Sequence, residues 1–454
     1  MTHLSHPRWF HALWPIVLTT LAGTARISAQ EGPVWWSNWR GPDGTSIAPS
    51  GNPPTEWSED KNIRWKVPIP GLASSSPVVW EDRIYLTTAI DTGQEGPPRE
   101  DTSGAFVRYG STKAPGTVYE FVVLAVDRAD GGTLWSTKVA EAVPHEGGHR
   151  TATQASNSPV TDGEHIYAFF GSRGLYCLDA EGKVVWSKQF GQMRTFREFG
   201  EGSSPALHGD TLVVLWDHED QSFILALDKR TGEELWRTER EEGTTWSGPL
   251  IVPVGDRHQV VIPATNASRS YDLETGKLVW SLSGMSTTAI PMPIHADGVV
   301  YLMSGFRSSN LQAVRLEGAK GDLAGSDNLL WSHTRNTSYV PNALVYDDLV
   351  YFLRLNSGIL SCLDARSGEV HYEAQRLDMR SIYSSPVGVA GRIYLTSRSG
   401  VTKVFAVGTE YEELATNQLD DGFDATAAIA GDELYLRGFA NLYCIAEINI
   451  AEKK

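Results

Sequence analysis

Self-similarity at a period of roughly 41 to 51 residues constrains this chain more than any single motif does. A Ser-Pro-apolar element returns as Ser76-Pro77-Val78, Ser158-Pro159-Val160, Ser204-Pro205-Ala206 and Ser385-Pro386-Val387. Looser copies start at Gly248-Pro249, Ile290-Pro291, Val340-Pro341 and Ala425-Thr426. Each is followed by a polar turn and an apolar run with a tyrosine, such as Arg83-Ile84-Tyr85-Leu86 or Arg392-Ile393-Tyr394-Leu395. A Leu-Asp strand comes next (Leu178-Asp179, Leu227-Asp228, Leu363-Asp364), then a Thr-Gly turn and a Trp strand, as in Thr231 to Trp236 and Thr275 to Trp280. Four short strands per unit, turn residues at fixed offsets and almost no helical periodicity point to β-propeller blades. The turn glycine supplies a positive φ, and the Trp is a large apolar body that can wedge between neighbouring sheets.

Counting starts gives eight units. Counting Trp ends gives Trp135, Trp186, Trp236, Trp280 and Trp331, with Tyr372 and the Leu414 region as degenerate copies. That is seven, because the eighth unit stops after Leu442-Tyr443-Cys444. The missing strand is at the other end of the chain, where Asn62-Ile63-Arg64-Trp65-Lys66-Val67 reads as an orphan Trp strand. Closing the ring with it would remove the exposed sheet edges of an open array. The expectation is an all-β chain folded as a single eight-bladed propeller of four-stranded blades; seven blades is the alternative. The expected divisions are a signal peptide (1–29), a leader (30–61), the propeller (62–447) and a short tail (448–454).

The signal peptide rests on an apolar run from Phe10 to Ala25, preceded by Arg8 and followed by the small-residue site Ile27-Ser28-Ala29. The run is short for a membrane span of about 20 residues, and it fits a secretory signal. An uncleaved anchor is the alternative. No cysteine lies near the cleavage site, which argues against a lipid anchor. The mature protein is expected to be exported, periplasmic or extracellular, with no membrane span after cleavage. Net charge is −16 and would approach −18 once Arg8 and Arg26 are removed. Such an acidic chain is not a nucleic-acid binder, whose footprint is basic.

The units resemble the pyrroloquinoline quinone (PQQ) repeat, in the order Ser-Pro-Val, Val-Tyr, Leu-Asp, Thr-Gly and terminal Trp, from about Trp65 to Ala446. The opening Trp36-Ser37-Asn38-Trp39-Arg40-Gly41-Pro42 with Gly44 is similar to the leader of exported PQQ-repeat-like bacterial propellers. Such chains are similar to the propeller lipoprotein of the outer-membrane protein assembly machinery. The resemblance implies fold more than cofactor, because many members bind none and fold is not function. The PQQ alcohol dehydrogenases of this superfamily are larger and typically place adjacent cysteines over the quinone. Here Cys177, Cys362 and Cys444 occupy one repeat position in three different blades. Equivalent positions in separate sheets are too far apart for a disulfide, so buried free thiols are expected.

His145-Glu146-Gly147-Gly148-His149 matches H-E-x-x-H, a zinc-protease pattern that requires a helix. Pro144 and two interior glycines instead predict a loop. In a propeller the loops joining strand 4 to the next strand 1, and strand 2 to strand 3, share one face. The long segments Asp91–Thr117, Glu141–Ser156 and Gln192–Gly202 therefore decorate that face. It carries His149, Arg150, Arg197, Glu198, Arg240, Trp246, Arg335, Tyr339, Arg380 and Tyr383. Among them His149, Arg150, Arg197, Trp246, Arg335, Tyr339 and Tyr383 are the candidate ligand-binding set. Converging guanidinium groups and aromatics would suit a small anionic or carbohydrate-like ligand. The competing reading pairs each arginine with Glu198, Glu201, Glu241 or Asp424 across neighbouring blades.

The expected function is a non-enzymatic, exported propeller that binds such a ligand or an envelope protein. No catalytic residue, metal or cofactor is expected. The alternative is a PQQ-dependent periplasmic oxidoreductase, which would need the quinone, a divalent cation and a base carboxylate on the ring axis.

Overall fold

The Leu-Asp, Thr-Gly and Trp elements of the repeat meet at the seams between sheets, and those seams define the architecture. The computed structural model describes residues 1–3, 35–98, 107 and 109–448. The expected signal peptide beyond its third residue, and the tail beyond 448, lie outside them. Eight four-stranded antiparallel meanders follow one another along the chain. Blade 1 is Val78–Trp80, Arg83–Glu95, Thr117–Asp127 and Thr133–Ala142. The innermost strands of blades 2 to 7 are Val160–Thr161, Ala206–His208, Leu250–Val254, Ile294–Ala296, Leu344–Tyr346 and Val387–Val389. Blade 8 takes Ala428–Ala430, Glu433–Arg437 and Asn441–Ile445 from the C-terminal end. Its outermost strand is Ile63–Pro68, with Trp65 opposite Cys444. Helical structure among the described residues amounts to two single 3-10 turns and Val107.

Each Leu-Asp aspartate caps the turn that follows it. Asp228 accepts from the Arg230 and Thr231 N–H groups and the Thr231 hydroxyl, and Asp364 repeats this with Arg366 and Ser367. These are the local side-chain bonds that favour Asp in turns. The turn glycine has a second constraint. Trp65, Trp135, Trp186, Trp236 and Trp331 each donate Nε1–H, at 2.8–3.0 Å, to the carbonyl just after the next blade's Leu-Asp aspartate. The indole then lies on the turn glycine. A Cβ on Gly182 would stand 2.5 Å from Trp135, and one on Gly276 2.4 Å from Trp236. Their φ values are +81° and +68°, so glycine is required twice over, by backbone and by space. The repeat tyrosines Tyr85, Tyr167, Tyr301 and Tyr435 are buried and tilt against the Trp of their own blade, at 5.9–6.1 Å.

The Ser-Pro serines form a belt around the axis. The backbone N–H of Ser76 donates to Ser158 Oγ (2.9 Å), Ser158 to Ser204 (2.9 Å), Asn342 to Ser385 (3.0 Å), Ser385 to Thr426 (3.0 Å) and Thr426 to Ser76 (3.0 Å). Met292 N–H donates to Asn342 Oδ1 at 2.8 Å. Six of the eight blade-to-blade steps are thus tied through the position two residues before the first strand. This places the loose repeat copies at Met292-Pro293, Asn342-Ala343 and Thr426-Ala427, one or two residues later than their Pro and Thr spacing suggests. Gly248 has no side chain and Met292 no acceptor, so the belt is open at blades 4 and 5.

Cys177, Cys362 and Cys444 are buried free thiols, and burial raises the pKa of Cys177 and Cys362 to about 12. The long insertion of blade 1 is less of a loop than its Gly and Pro content suggests. Its second strand continues to Glu95, with Asp91 opposite Tyr119. Farther along, Ser111–Thr112 pairs with Gly148–His149. The H-E-x-x-H stretch is therefore extended, not helical.

Candidate functional site: the axial cavity

Strand 1 of every blade begins at the belt, so the belt residues and the loops entering it surround a space on the axis. This cavity measures about 250 Å³. Its waist is the belt, and its mouth is formed by side chains of the strand 4-to-1 loops: His149, Phe199, Glu201, Trp246, Tyr339 and Tyr383, with Asp424 from the last of them. Its floor is Trp39.

Trp39 is there because the leader packs against the inner strands of several blades. Trp36 and Ser37 carbonyls accept the Val79 and Thr161 N–H groups of blades 1 and 2. Ser46 and Ala48 exchange bonds with Gly388 of blade 7, and Arg40 Nη1 donates to Pro293 O of blade 5 at 2.9 Å. Trp36 and Arg40 are 1% and 0% exposed. The Trp-Ser-Asn-Trp-Arg-Gly-Pro stretch therefore closes the space from beneath.

Four of the seven candidate residues come together at the mouth. His149 lies edge-on to Phe199 at 5.1 Å, and its Nδ1 meets Thr151 Oγ1 at 2.8 Å. Burial, then Arg150 and Arg398, hold its pKa below the usual histidine value. Trp246 Nε1–H donates to Gly200 O at 2.7 Å. Tyr339 stacks on Phe306 at 4.8 Å, and Arg398 stands over Tyr383 at 5.2 Å. The other three candidates, the arginines, are not among the lining residues. Arg150 is exposed, Arg197 stands over the Tyr109 and Phe196 rings, and Arg335, 66% exposed, pairs with Glu373 at 3.0 Å. Arg240, also placed on this face from the sequence, is fully buried in a two-bonded pair with Asp217 and a bond to Tyr271. Arg380 is exposed.

The charged groups that do line the cavity are carboxyls. Glu201 accepts from Ser172 N–H and Oγ–H at 2.6 Å each, and burial raises its pKa. Asp424, 9% exposed, faces Arg398 at 3.1 Å, and burial lifts its pKa to about 6 against the pull of that guanidinium. Trp39, Phe199, Asn342 and Arg398 were not singled out from the sequence. The leader motif was visible, but nothing in its spacing says that it reaches the axis.

The two histidines of the H-E-x-x-H stretch serve different partners. His145 Nε2 lies 2.6 Å from Met193 O, and Arg173 Nη2 lies 2.9 Å from its Nδ1. Glu146 ties the loop to its neighbour by accepting from Thr195 N–H and Oγ1–H. Among the described residues no three His, Cys, Asp or Glu side chains converge; of the two lining carboxyls, Glu201 is held by Ser172 and Asp424 faces Arg398.

With fold and site in view, the family can be assigned. The family described as "Outer membrane protein assembly factor BamB" matches residues 120–245 and 219–449, well over half of the chain. The chain belongs to this PQQ-repeat propeller family. Within the BamB family it is 22% identical over 287 residues to the assembly factor of Shewanella oneidensis, covering 57% of this chain and 65% of that protein. To the Francisella salina protein it is 26% identical over 179 residues, 38% of this chain and 30% of that one. The matched part thus spans less than two thirds of either relative. Among solved structures, BamB from Moraxella catarrhalis superposes with a TM-score of 0.51 at 13% identity, covering 79% of this chain and 98% of that one. A quinohemoprotein alcohol dehydrogenase from Pseudomonas putida HK5 gives 0.62 at 12% identity, covering 92% and 81%. At such identities both show the fold alone.

Proposed function

We propose that this propeller is a non-enzymatic, exported binding module of the cell envelope, which docks an envelope protein on its loop-rich face. The observation that carries the reading is the contrast between the two ends of the axis. One end is closed by the leader. The other presents long loops with large apolar side chains in solvent: Leu72 at 48%, Tyr109 at 58% and Leu355 at 43% exposed. Apolar groups held out on ordered loops favour a partner surface. The relatives named as outer-membrane protein assembly factors support an envelope protein as that partner, and no helix among the described residues is long and apolar enough to cross a membrane.

The test is site-specific photo-crosslinking in cells that make the full chain. Crosslinkers at Leu72, Tyr109 and Leu355 should capture one and the same envelope protein, identified by mass spectrometry. Crosslinkers at Leu235 and Leu278, exposed on outer strands, should not. Equal capture from both sets, or none from the loops, would sink the docking reading. The oxidoreductase alternative is decided separately, by adding PQQ and calcium and following dye reduction over alcohols and sugars. Robust turnover there would replace the binding role with catalysis.

A further inference from the structure

The axial cavity holds polar atoms that the protein itself leaves without partners. Each of the five belt hydroxyls accepts one backbone N–H, and among the described residues no acceptor takes its own proton. Asn342 is 2% exposed; its Oδ1 serves Met292, while its Nδ2 has no hydrogen-bond partner. Both carboxylate oxygens of Asp424 are buried without a hydrogen bond, the ion pair with Arg398 aside. Buried donors and acceptors are nearly always satisfied, so a cluster of unsatisfied ones requires an explanation.

The chemistry of the walls narrows what could satisfy them. The waist offers donors, and the upper wall offers acceptors at Asp424. Between them stand flat apolar faces: Trp246, Phe199, Tyr339 and Tyr383 above, Trp39 below. An apolar ligand would leave every one of these polar groups unmet, at a cost. A simple anion would suit the waist but not the carboxyls of Asp424 and Glu201. What matches is a molecule with hydroxyls around its edge, each able to donate and accept, and a C–H face to lay against an aromatic ring. Gly248 and Met292, which carry no belt hydroxyl, stand in the wall beside Asn342. At about 250 Å³ the space is just below the roughly 300–1,000 Å³ of drug-sized sites, which is room for one ring.

We propose that the axial cavity is a binding site for a single neutral pyranose ring, with Asp424 accepting from sugar hydroxyls, Asn342 Nδ2 and the belt hydroxyls donating to them, and the aromatic mouth covering the ring. The proposal is independent of protein docking on the outer loops, and either can fail alone.

Its test uses the full mature chain with methyl glycosides of glucose, galactose, mannose and N-acetylglucosamine, and sodium sulfate as the anion probe. Binding is followed by calorimetry and by tryptophan emission, since Trp246 and Trp39 line the site. At least one glycoside is expected to bind, to change the emission and to raise the melting temperature, and sulfate should not displace it. Asp424→Asn keeps the shape but halves the acceptors, and should weaken binding at least tenfold. Asn342→Ser keeps an oxygen for the belt but removes the orphaned donor, and should weaken it several-fold. Arg335→Ala, away from the cavity, should bind as wild type does. The proposal falls if no glycoside binds the folded wild type, if sulfate displaces the sugar, or if both cavity variants retain full affinity.

Discussion

From blade 8 round to blade 4 the ring repeats one lock, and between blades 4 and 5 it abandons it. At those four seams an indole (Trp65, Trp135, Trp186, Trp236) lies on a glycine turn of the next blade and donates to its backbone, and Trp331 repeats the lock between blades 5 and 6. At the fifth, Trp280 is 0% exposed but turns its Nε1 to Gln259 of its own blade, at 3.2 Å. Blade 5 offers it no glycine turn. Instead its longer connection adds Gly321–Asp322 as a parallel strand beside Leu278–Leu282, and packs Leu316, Ala319 and Leu323 into one cluster with Trp280. The belt is open at the same place. What a seam needs is burial and satisfied polar groups; the repeat supplies both cheaply, and an insertion can supply them otherwise. The position freed from the repeat is where the axial cavity gains its least regular wall.

The largest effect is expected where the lock also closes the ring. Trp65 is 8% exposed, bonds Arg128 O across the seam and tilts against Tyr435. Trp65→Ala should cost about 3–5 kcal/mol, the usual range for truncating a buried aromatic, read by urea denaturation. A loss below about 1 kcal/mol would mean that the seam between first and last blades is held by the strand pairing alone.

Two glycines sharpen the contrast between seams. Gly182 has a φ of +81°, and a Cβ there would stand 2.5 Å from Trp135. Gly318, in the blade 5 connection, has a similar φ of +73° but nothing within 4 Å of where a Cβ would be. Alanine at either pays the left-handed backbone penalty of roughly 1–2 kcal/mol. Only Gly182→Ala adds overpacking, worth roughly another 1–3 kcal/mol. Equal denaturation midpoints for the two variants would show that the indole can retreat, and that the lock is looser than its geometry suggests.

The same contrast explains what could be read from the sequence. Blade number, the free cysteines and the face that carries the long loops were legible because each follows from a short pattern repeated in register. The Ser-Pro serines were legible as a landmark but not as a belt, since their bonds run between blades some 40–80 residues apart. The arginines lie away from the cavity lining for a physical reason. A sequence places a side chain on a face but not its partner, and Arg240 and Arg335 found Asp217 and Glu373, neither of which the repeat marks. The aromatic candidates line the cavity because the 4-to-1 loops must enter at the axis, whatever their length. Trp39 and Arg40 lay beyond reach, as no periodicity connects a leader to a ring interior.

The smallest effect concerns the loops over the regular seams, and it depends on pH. Glu146 accepts from Thr195 N–H and Oγ1–H, yet burial, aided by Glu201 and Glu198, raises its pKa to about 7. A carboxyl whose folded pKa lies above its unfolded value favours the fold most below the unfolded value, near 4.5. That contribution is lost as pH rises through 7. For a partly exposed loop group the swing should be about 1–2 kcal/mol. Glu146→Gln cannot titrate, so its stability relative to wild type should rise between pH 4.5 and pH 8. Taking the difference between the two proteins cancels the titration of Asp424 and His149, which both contain. A pH-independent difference for Glu146→Gln would mean that the Thr195 bonds already hold this carboxylate ionised, and that the loops over the regular seams are not pH-sensitive at that point.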